Sequence, residues 1–308
     1  MPALGGKELF ARLRAERGGS AAGVGKPRRD QVGEPGSGAE AAIHHEANQP
    51  TCREADRPTA PEATAAAKGR DEMDTPSREE AARRREAALT VREVPTVAGP
   101  LRVLEDITGV WASGNGATIW DSALLLASVL QKQSDLAGAR AVELGAGTGL
   151  VGMCLAKLGA KVTLTERALA LPLLRRNIAE NGLDAGPSAA RVEDLSWGVP
   201  LPAWATDAPS DIVVGSDLVF PSNAECHGLL VETLAALVQP ETRCWLAYEP
   251  REQACDDSFL AMLALHFEVS RLSGEELERG AEDLWVFRLK TKRSAAGGAT
   301  HPGRDGPQ

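Results

Sequence analysis

A short apolar run passes through three alternating glycines into a second apolar run: Ala141-Val142-Glu143-Leu144-Gly145-Ala146-Gly147-Thr148-Gly149-Leu150-Val151-Gly152. A strand that must turn this sharply into a helix leaves few folds open. Backbone without Cβ atoms turns tightly and still lets a ligand lie against its amides, which is the arrangement at the centre of an open α/β sheet. One acidic residue then selects the ligand. Glu143 stands two positions before the first glycine, where a carboxylate attracts the ammonium and sulfonium of S-adenosylmethionine and would repel a pyrophosphate. Residues 147–152 also match the dinucleotide fingerprint G-x-G-x-x-G. That alternative is disfavoured, because Gly145 already holds the place just after the strand and Gly147 opens the match too late.

The 308 residues divide sharply in composition. Residues 1–88 are built from Ala, Gly, Arg, Glu and Pro with too few large apolar side chains to offset their ordering entropy, and are expected to be a disordered tail. Residues 291–308 carry the same expectation, which leaves 89–290 as the domain. Within the tail, Leu9, Phe10 and Leu13 share one helical face over 7–17 that could fold on a partner. Residues 1–95 hold 16 basic and 16 acidic residues, so the net charge of −9 falls on the rest. An acidic domain argues against nucleic acid and suits a protein substrate, a basic one above all. No apolar stretch approaches the roughly 20 residues of a membrane span, and no signal-like apolar region follows Met1, so the expectation is an intracellular, membrane-free monomer in the cytoplasm, also in the nucleus. An organellar transit peptide is disfavoured by Glu8, Glu16 and Asp30 among the early basic residues. Cys52, Cys154, Cys226, Cys244 and Cys255 form no C-x-x-C pair, which argues against a metal site and for reduced packing residues.

From Leu89 the apolar density rises, and the residues around Gly99-Pro100 predict a short hairpin. Helical spacing follows over 119–130. Strands are then predicted at 139–144, 161–165, 189–192, 211–215, 243–248, 267–272 and 284–289, with helices at 150–158, 169–181, 223–238 and 255–265. Such alternation implies a mostly parallel seven-strand Rossmann-like sheet covered on both faces. The interval 273–283 is too short for a helical crossover, so the last strand is expected to run antiparallel to its predecessor.

In open α/β sheets the ligand lies beyond the carboxyl ends of the strands. The residues there are Glu143, Gly145, Ala146 and Gly147 after the first central strand, Glu166 after the second, Asp194 and Trp197 after the third, and Ser216 and Asp217 after the fourth. Glu166 follows Gly147 by 19 residues, a spacing that suits a carboxylate accepting ribose hydroxyls, although an acid at a helix start has a dipole reason of its own. Trp197 suits an adenine cover, or a core aromatic. Trp120 carries the same two readings. Tyr248-Glu249-Pro250-Arg251 reads equally as a substrate mouth or as a strand end with a turn.

Four stretches occur in order: Ala117-Thr118-Ile119-Trp120-Asp121-Ser122-Ala123, residues 143–152, Leu195-Ser196-Trp197-Gly198, and Gly215-Ser216-Asp217-Leu218-Val219-Phe220. Together they resemble the family 16 seven-strand protein-lysine N-methyltransferases of the methyltransferase-like 21 type, over about 95–290. The resemblance implies a class I methyltransferase fold, S-adenosylmethionine as methyl donor and a protein lysine as acceptor. It implies cofactor contacts from Trp120, Gly145, Ala146, Gly147, Glu166, Trp197 and Ser216. The segment 217–220 resembles the family's D-x-x-[Y/F] motif, with Phe220 where Tyr is usual, so no phenolic hydroxyl is expected there.

Lysine has an ordinary pKa near 10.4, so about one in a few thousand is neutral at pH 7. Asp217, the candidate catalytic residue, cannot remove that cost by charge, because a carboxylate favours the ammonium. Its expected task is to orient the amine or a backbone turn, while burial beside Phe220 and repulsion from the sulfonium favour the neutral amine and water takes the proton. Two other functions stand beside this one. A histidine or a small molecule could be the acceptor, or the domain could be an inactive interaction protein working through its tail.

Overall fold

A computed structural model describes residues 77–111, 115–186, 189–277 and 281–292. Of the expected tails at 1–88 and 291–308, residues 1–76, with the 7–17 segment, and 293–308 lie outside the described residues. Helix α1 (Arg78–Ala87) opens the described chain, within the stretch 1–88 expected to be a tail. Its start is a capping box: the Ser77 hydroxyl accepts the Glu80 amide at 3.2 Å, and the Glu80 carboxylate accepts the Ser77 amide at 2.9 Å.

The hairpin β1 (Thr90–Val94) and β2 (Leu101–Glu105) follows, antiparallel as expected. Then come α2 (Asp121–Leu130), β3 (Arg140–Leu144), α3 (Leu150–Lys157), β4 (Lys161–Glu166), α4 (Leu171–Glu180), β5 (Arg191–Asp194) and the single turn α5 (Ala203–Thr206). The chain continues through β6 (Ile212–Ser216), α6 (His227–Leu237), β7 (Arg243–Tyr248), α7 (Gln253–His266), β8 (Phe267–Arg271) and β9 (Trp285–Thr291). All seven predicted strands are present, each within two residues of its expected start.

The main sheet has the order β5-β4-β3-β6-β7-β9-β8. Pairs from β5 to β7 are parallel, and β9 runs antiparallel to both β7 and β8. The last strand therefore pairs with its predecessor as expected and also wedges between it and β7. Central strands are mostly apolar, with Leu144, Ile212, Val213 and Val214 fully buried, because helices cover both faces. Helices α2, α3 and α4 pack on one face, and α6 with α7 on the other.

Two asparagines join the hairpin to the sheet. The fully buried Asn177 on α4 accepts the Leu104 amide at 2.7 Å and donates to the Leu104 and Thr148 carbonyls at 3.1 and 2.9 Å. One turn on, Asn181 accepts the Arg102 amide at 2.9 Å and donates to the Arg102 carbonyl at 2.8 Å.

The helix expected at 223–238 begins only at His227. Residues Pro221–Cys226 form a tighter turn in which Asn223 leaves helical geometry (φ −123°), because its side chain is bonded to the preceding loop. Cys154, Cys244 and Cys255 are free thiols, whereas Cys226 is disulfide-bonded, which corrects the reading of all five as reduced. Among the described residues no helix is long and apolar enough to cross a membrane.

Candidate functional site

Register brings the strand ends together. Leu144 lies beside Gly215, Ser216 beside Ala247, and Glu166 beside Asp194. The chain leaves β3 through Gly145 (φ +55°) and Gly147 (φ +54°), backbone conformations that strain residues with a Cβ. Space forbids side chains there as well. A Cβ on Gly147 would stand 2.9 Å from the Gly116 carbonyl oxygen, and one on Gly145 would stand 2.5 Å from Leu218 Cδ2. The turn thus stays bare beneath a cavity of about 450 Å³.

Every candidate residue from the four strand ends lines this cavity except Asp194, which is exposed and stands outside it. Gly145, Ala146 and Gly147 form one wall, with Glu166, Trp197, Ser216 and Asp217 around it and Trp120 opposite from the start of α2. The 19-residue spacing closes into contact: Glu166 Oε2 accepts the Gly147 amide at 3.0 Å, and Oε1 accepts the Arg167 amide at 2.8 Å. Trp197 lies along the turn, its Cζ2 3.5 Å from where a Gly145 Cβ would be, and is half-buried. The amide after it donates to Thr233 Oγ1 at 3.0 Å, which fixes the loop on α6.

Glu143 forms the floor of the cavity with only 1% of its surface exposed. Its Oε2 accepts the Gly152 amide at 2.7 Å, but burial outweighs that bond and, with the charge of Glu166 added, pushes the carboxyl up to about 8. At neutral pH it therefore holds its proton, which refines the expectation of a standing negative charge. A cation placed beside it would draw that proton off.

Asp217 follows β6 in a left-handed conformation (φ +55°), rare for a residue with a side chain. Its amide donates to the Ala247 carbonyl at 2.7 Å, and its carboxylate, 6% exposed, meets a guanidinium. Arg251 Nη2 donates to Oδ1 at 3.1 Å and Oδ2 at 2.9 Å, while Nη1 donates to the Val219 and Glu249 carbonyls at 3.3 Å each. The guanidinium carbon stands 5.9 Å from the centre of the Trp120 ring. Of the segment 248–251, then, the arginine touches two lining residues, Asp217 and Trp120, and Tyr248 stands away from the cavity. Tyr248 is buried among Phe259, Trp285 and Phe287, where burial raises its pKa and removes it as a base.

Phe220 lines the cavity at the end of the same loop. Its amide donates to Asn223 Oδ1 at 3.1 Å, and Asn223 Nδ2 donates to the Leu218 carbonyl at 2.9 Å. Those two bonds set the amide's orientation, so His227 Nε2, 2.9 Å from the same Oδ1, is the donor. His227 is 1% exposed, and burial lowers its pKa. It is a neutral prop for the loop, one that its position on a helix did not reveal. Asn223 was likewise missed, and Arg251, read only as part of a possible substrate mouth, was missed as the partner of Asp217. A polar side chain beside the D-x-x-F stretch was the available signal for Asn223.

The donor set suits S-adenosylmethionine: a bare glycine turn, a carboxylate in the lining, two indoles, and a protonated carboxyl that gains from a cation. A family model described as lysine methyltransferase matches residues 101–266. Protein N-lysine methyltransferase METTL21A of Danio rerio is 35% identical over 182 residues, 59% of this chain and 80% of that protein. The Mus musculus METTL21A is 36% identical, covering 52% and 72%. EEF1A lysine methyltransferase 3 of Mus musculus is 33% identical over 192 residues, covering 61% and 78%.

Proposed function

The chain belongs to the lysine methyltransferase family, and we propose that its strand-end cavity holds the methyl donor while the loop 217–220 presents the acceptor. The protein is an S-adenosylmethionine-dependent protein-lysine methyltransferase. When bound, S-adenosylmethionine supplies an electrophilic methyl group: the lysine nitrogen's lone pair forms the N–C bond, the S–C pair passes to sulfur, and water takes the proton.

The chain's own residues hold and align. Glu143 would sit under the cationic methionine end, the amides of 145–147 would lie along it, Glu166 would accept the ribose hydroxyls, and Trp197 and Trp120 would close over apolar surface. Ser216 adds a hydroxyl beside the turn. On the acceptor side, Asp217 and the Phe220 face orient the incoming amine and keep water away. No histidine lines the cavity among the described residues, so the proton leaves to solvent. The observation that carries this reading is the meeting of Gly145–Gly147, Glu166, Trp197, Ser216 and Asp217 on one cavity of about 450 Å³.

EEF1A, the protein named by two relatives, is the first acceptor to try, and the net charge of −9 favours a basic surface around the target lysine. On the same sequence grounds we place the enzyme in the cytoplasm, with the nucleus as a second compartment, acting as a monomer without nucleic acid or membrane. The test is incubation with tritiated S-adenosylmethionine, purified EEF1A and, in parallel, a cell extract, followed by mass spectrometry. Methyl-lysine on a protein is the expected product. Label confined to histidine or to small molecules would overturn the acceptor assignment.

A further inference from the structure

Asp217 poses a problem for the reaction described above. A carboxylate beside the acceptor stabilises its ammonium form, and an ammonium has no lone pair with which to attack. The structure supplies the counterweight. Arg251, 34 residues away in the chain, places Nη2 within hydrogen-bond distance of both Asp217 oxygens and Nη1 on the Val219 carbonyl. One guanidinium thus engages the start of the loop, its third residue, the end of β7 through the Glu249 carbonyl, and the Trp120 ring. A planar fork can make these contacts at once; a lysine cannot. The loop it grips is the one whose first residue stands at φ +55°.

We propose that Arg251 is a positioning residue for methyl transfer: it holds Asp217 in its left-handed turn and matches its charge, so that the acceptor lysine is oriented by the carboxylate without being held as an ammonium. This rests on the reading that the acceptor enters at the 217–220 loop. The other charged groups around this corner do not substitute for Arg251. Glu249 places Oε2 3.9 Å from Arg251 Nη2, and Asp256 at the start of α7 feels the guanidinium charge, so both compete for it. The cavity lining holds Glu166 and Glu225, with Arg167 its one cation among the described residues, while Arg251 stands outside the lining and reaches it through Asp217. With Arg251 removed, the acceptor would face Asp217 and a mostly acidic rim.

The test compares wild type, Arg251→Gln, Arg251→Lys and the double variant Asp217→Asn/Arg251→Gln. Lysine methylation of a cell extract by tritiated S-adenosylmethionine is followed from pH 6.5 to 9.5, and S-adenosylhomocysteine affinity is measured by calorimetry. Arg251→Gln is expected to lose about tenfold in rate at pH 7 and to recover toward pH 9.5, its profile displaced upward by about one pH unit, with S-adenosylhomocysteine affinity within about threefold of wild type. Arg251→Lys keeps charge without the fork and should fall between. The double variant should lose the displacement, because the carboxylate charge is gone. A loss equal at every pH, or one matched by loss of S-adenosylhomocysteine affinity, would reduce Arg251 to a structural contact and overturn the proposal. Wild type that labels no lysine at any pH would fail the functional reading itself, a different result from a variant whose profile does not move.

Discussion

Glu143 and Asp217 are acidic side chains at the ends of adjacent strands, both nearly out of solvent, and they have opposite surroundings. At Glu143 the described neighbours are a single amide donor and another acid, so burial wins and the proton stays on. At Asp217 a guanidinium lies against both oxygens. Residue type and place in the sheet are therefore not enough to define a role. The first site is electrostatically incomplete and gains from a cationic ligand; the second is complete, and serves as a fixed point for something that arrives.

The sharpest way to break this contrast is Asp217→Asn. We expect turnover to fall by about a hundredfold or more while S-adenosylhomocysteine affinity, read by calorimetry, stays within about threefold, the signature of an interaction made in the transition state. Equal losses in both would place Asp217 on the donor side. Glu143→Gln should do the reverse, weakening S-adenosylhomocysteine about tenfold with a smaller change in turnover of the saturated enzyme.

The same carboxyl gives a pH test. Its folded pKa, about 8, lies above the ordinary value of 4.5. Its contribution is thus complete below about pH 4.5 and is lost as pH rises through 8, at up to about 1.4 kcal/mol per pH unit between them. Thermal melts of ligand-free protein should show that slope, and Glu143→Gln should flatten it and exceed wild type in stability at pH 8. Ligand binding at pH 7 should release close to one proton, visible in calorimetry across buffers of different ionisation enthalpy. Proton-neutral binding would mean that the cation does not sit over Glu143.

A smaller effect sharpens the Asp217 side. Asn223→Ala removes the tie between His227, the Phe220 amide and the Leu218 carbonyl, leaving a buried ring nitrogen without its acceptor. The expected cost is about 1–3 kcal/mol in unfolding free energy, with turnover reduced more than donor affinity. Unchanged denaturation midpoints would show that the loop is held by Arg251 alone.

Local pattern made one half of this comparison legible. The glycine turn, the Glu143 position and the Glu166 spacing all lie within a short βαβ stretch, where periodicity and turn chemistry carry the information. The strand alternation made the sheet readable for the same reason, down to the antiparallel last strand. Contacts that join distant elements were not readable. Arg251 meets Asp217 only because β7 is parallel to β6 in a register that no local signal encodes, and Asn177 reaches Leu104 across 73 positions. Tyr248 illustrates the converse: its place at a strand end suggested the mouth, but alternation along β7 turned it into the core. Helix α1 is a different case. Ser77 and Glu80 spelled a capping box inside a low-complexity stretch, and composition overrode the signal.

The paired asparagines of α4 have a consequence for how the molecule behaves in a crowded solution. An exposed strand edge is a template on which a second chain can add, the first step of many aggregates. Asn177 and Asn181 occupy the amides and carbonyls of Leu104 and Arg102 on the side of β2 away from β1. The end of a helix thereby finishes the β2 side of the hairpin as a third strand would, and closes that edge to strangers.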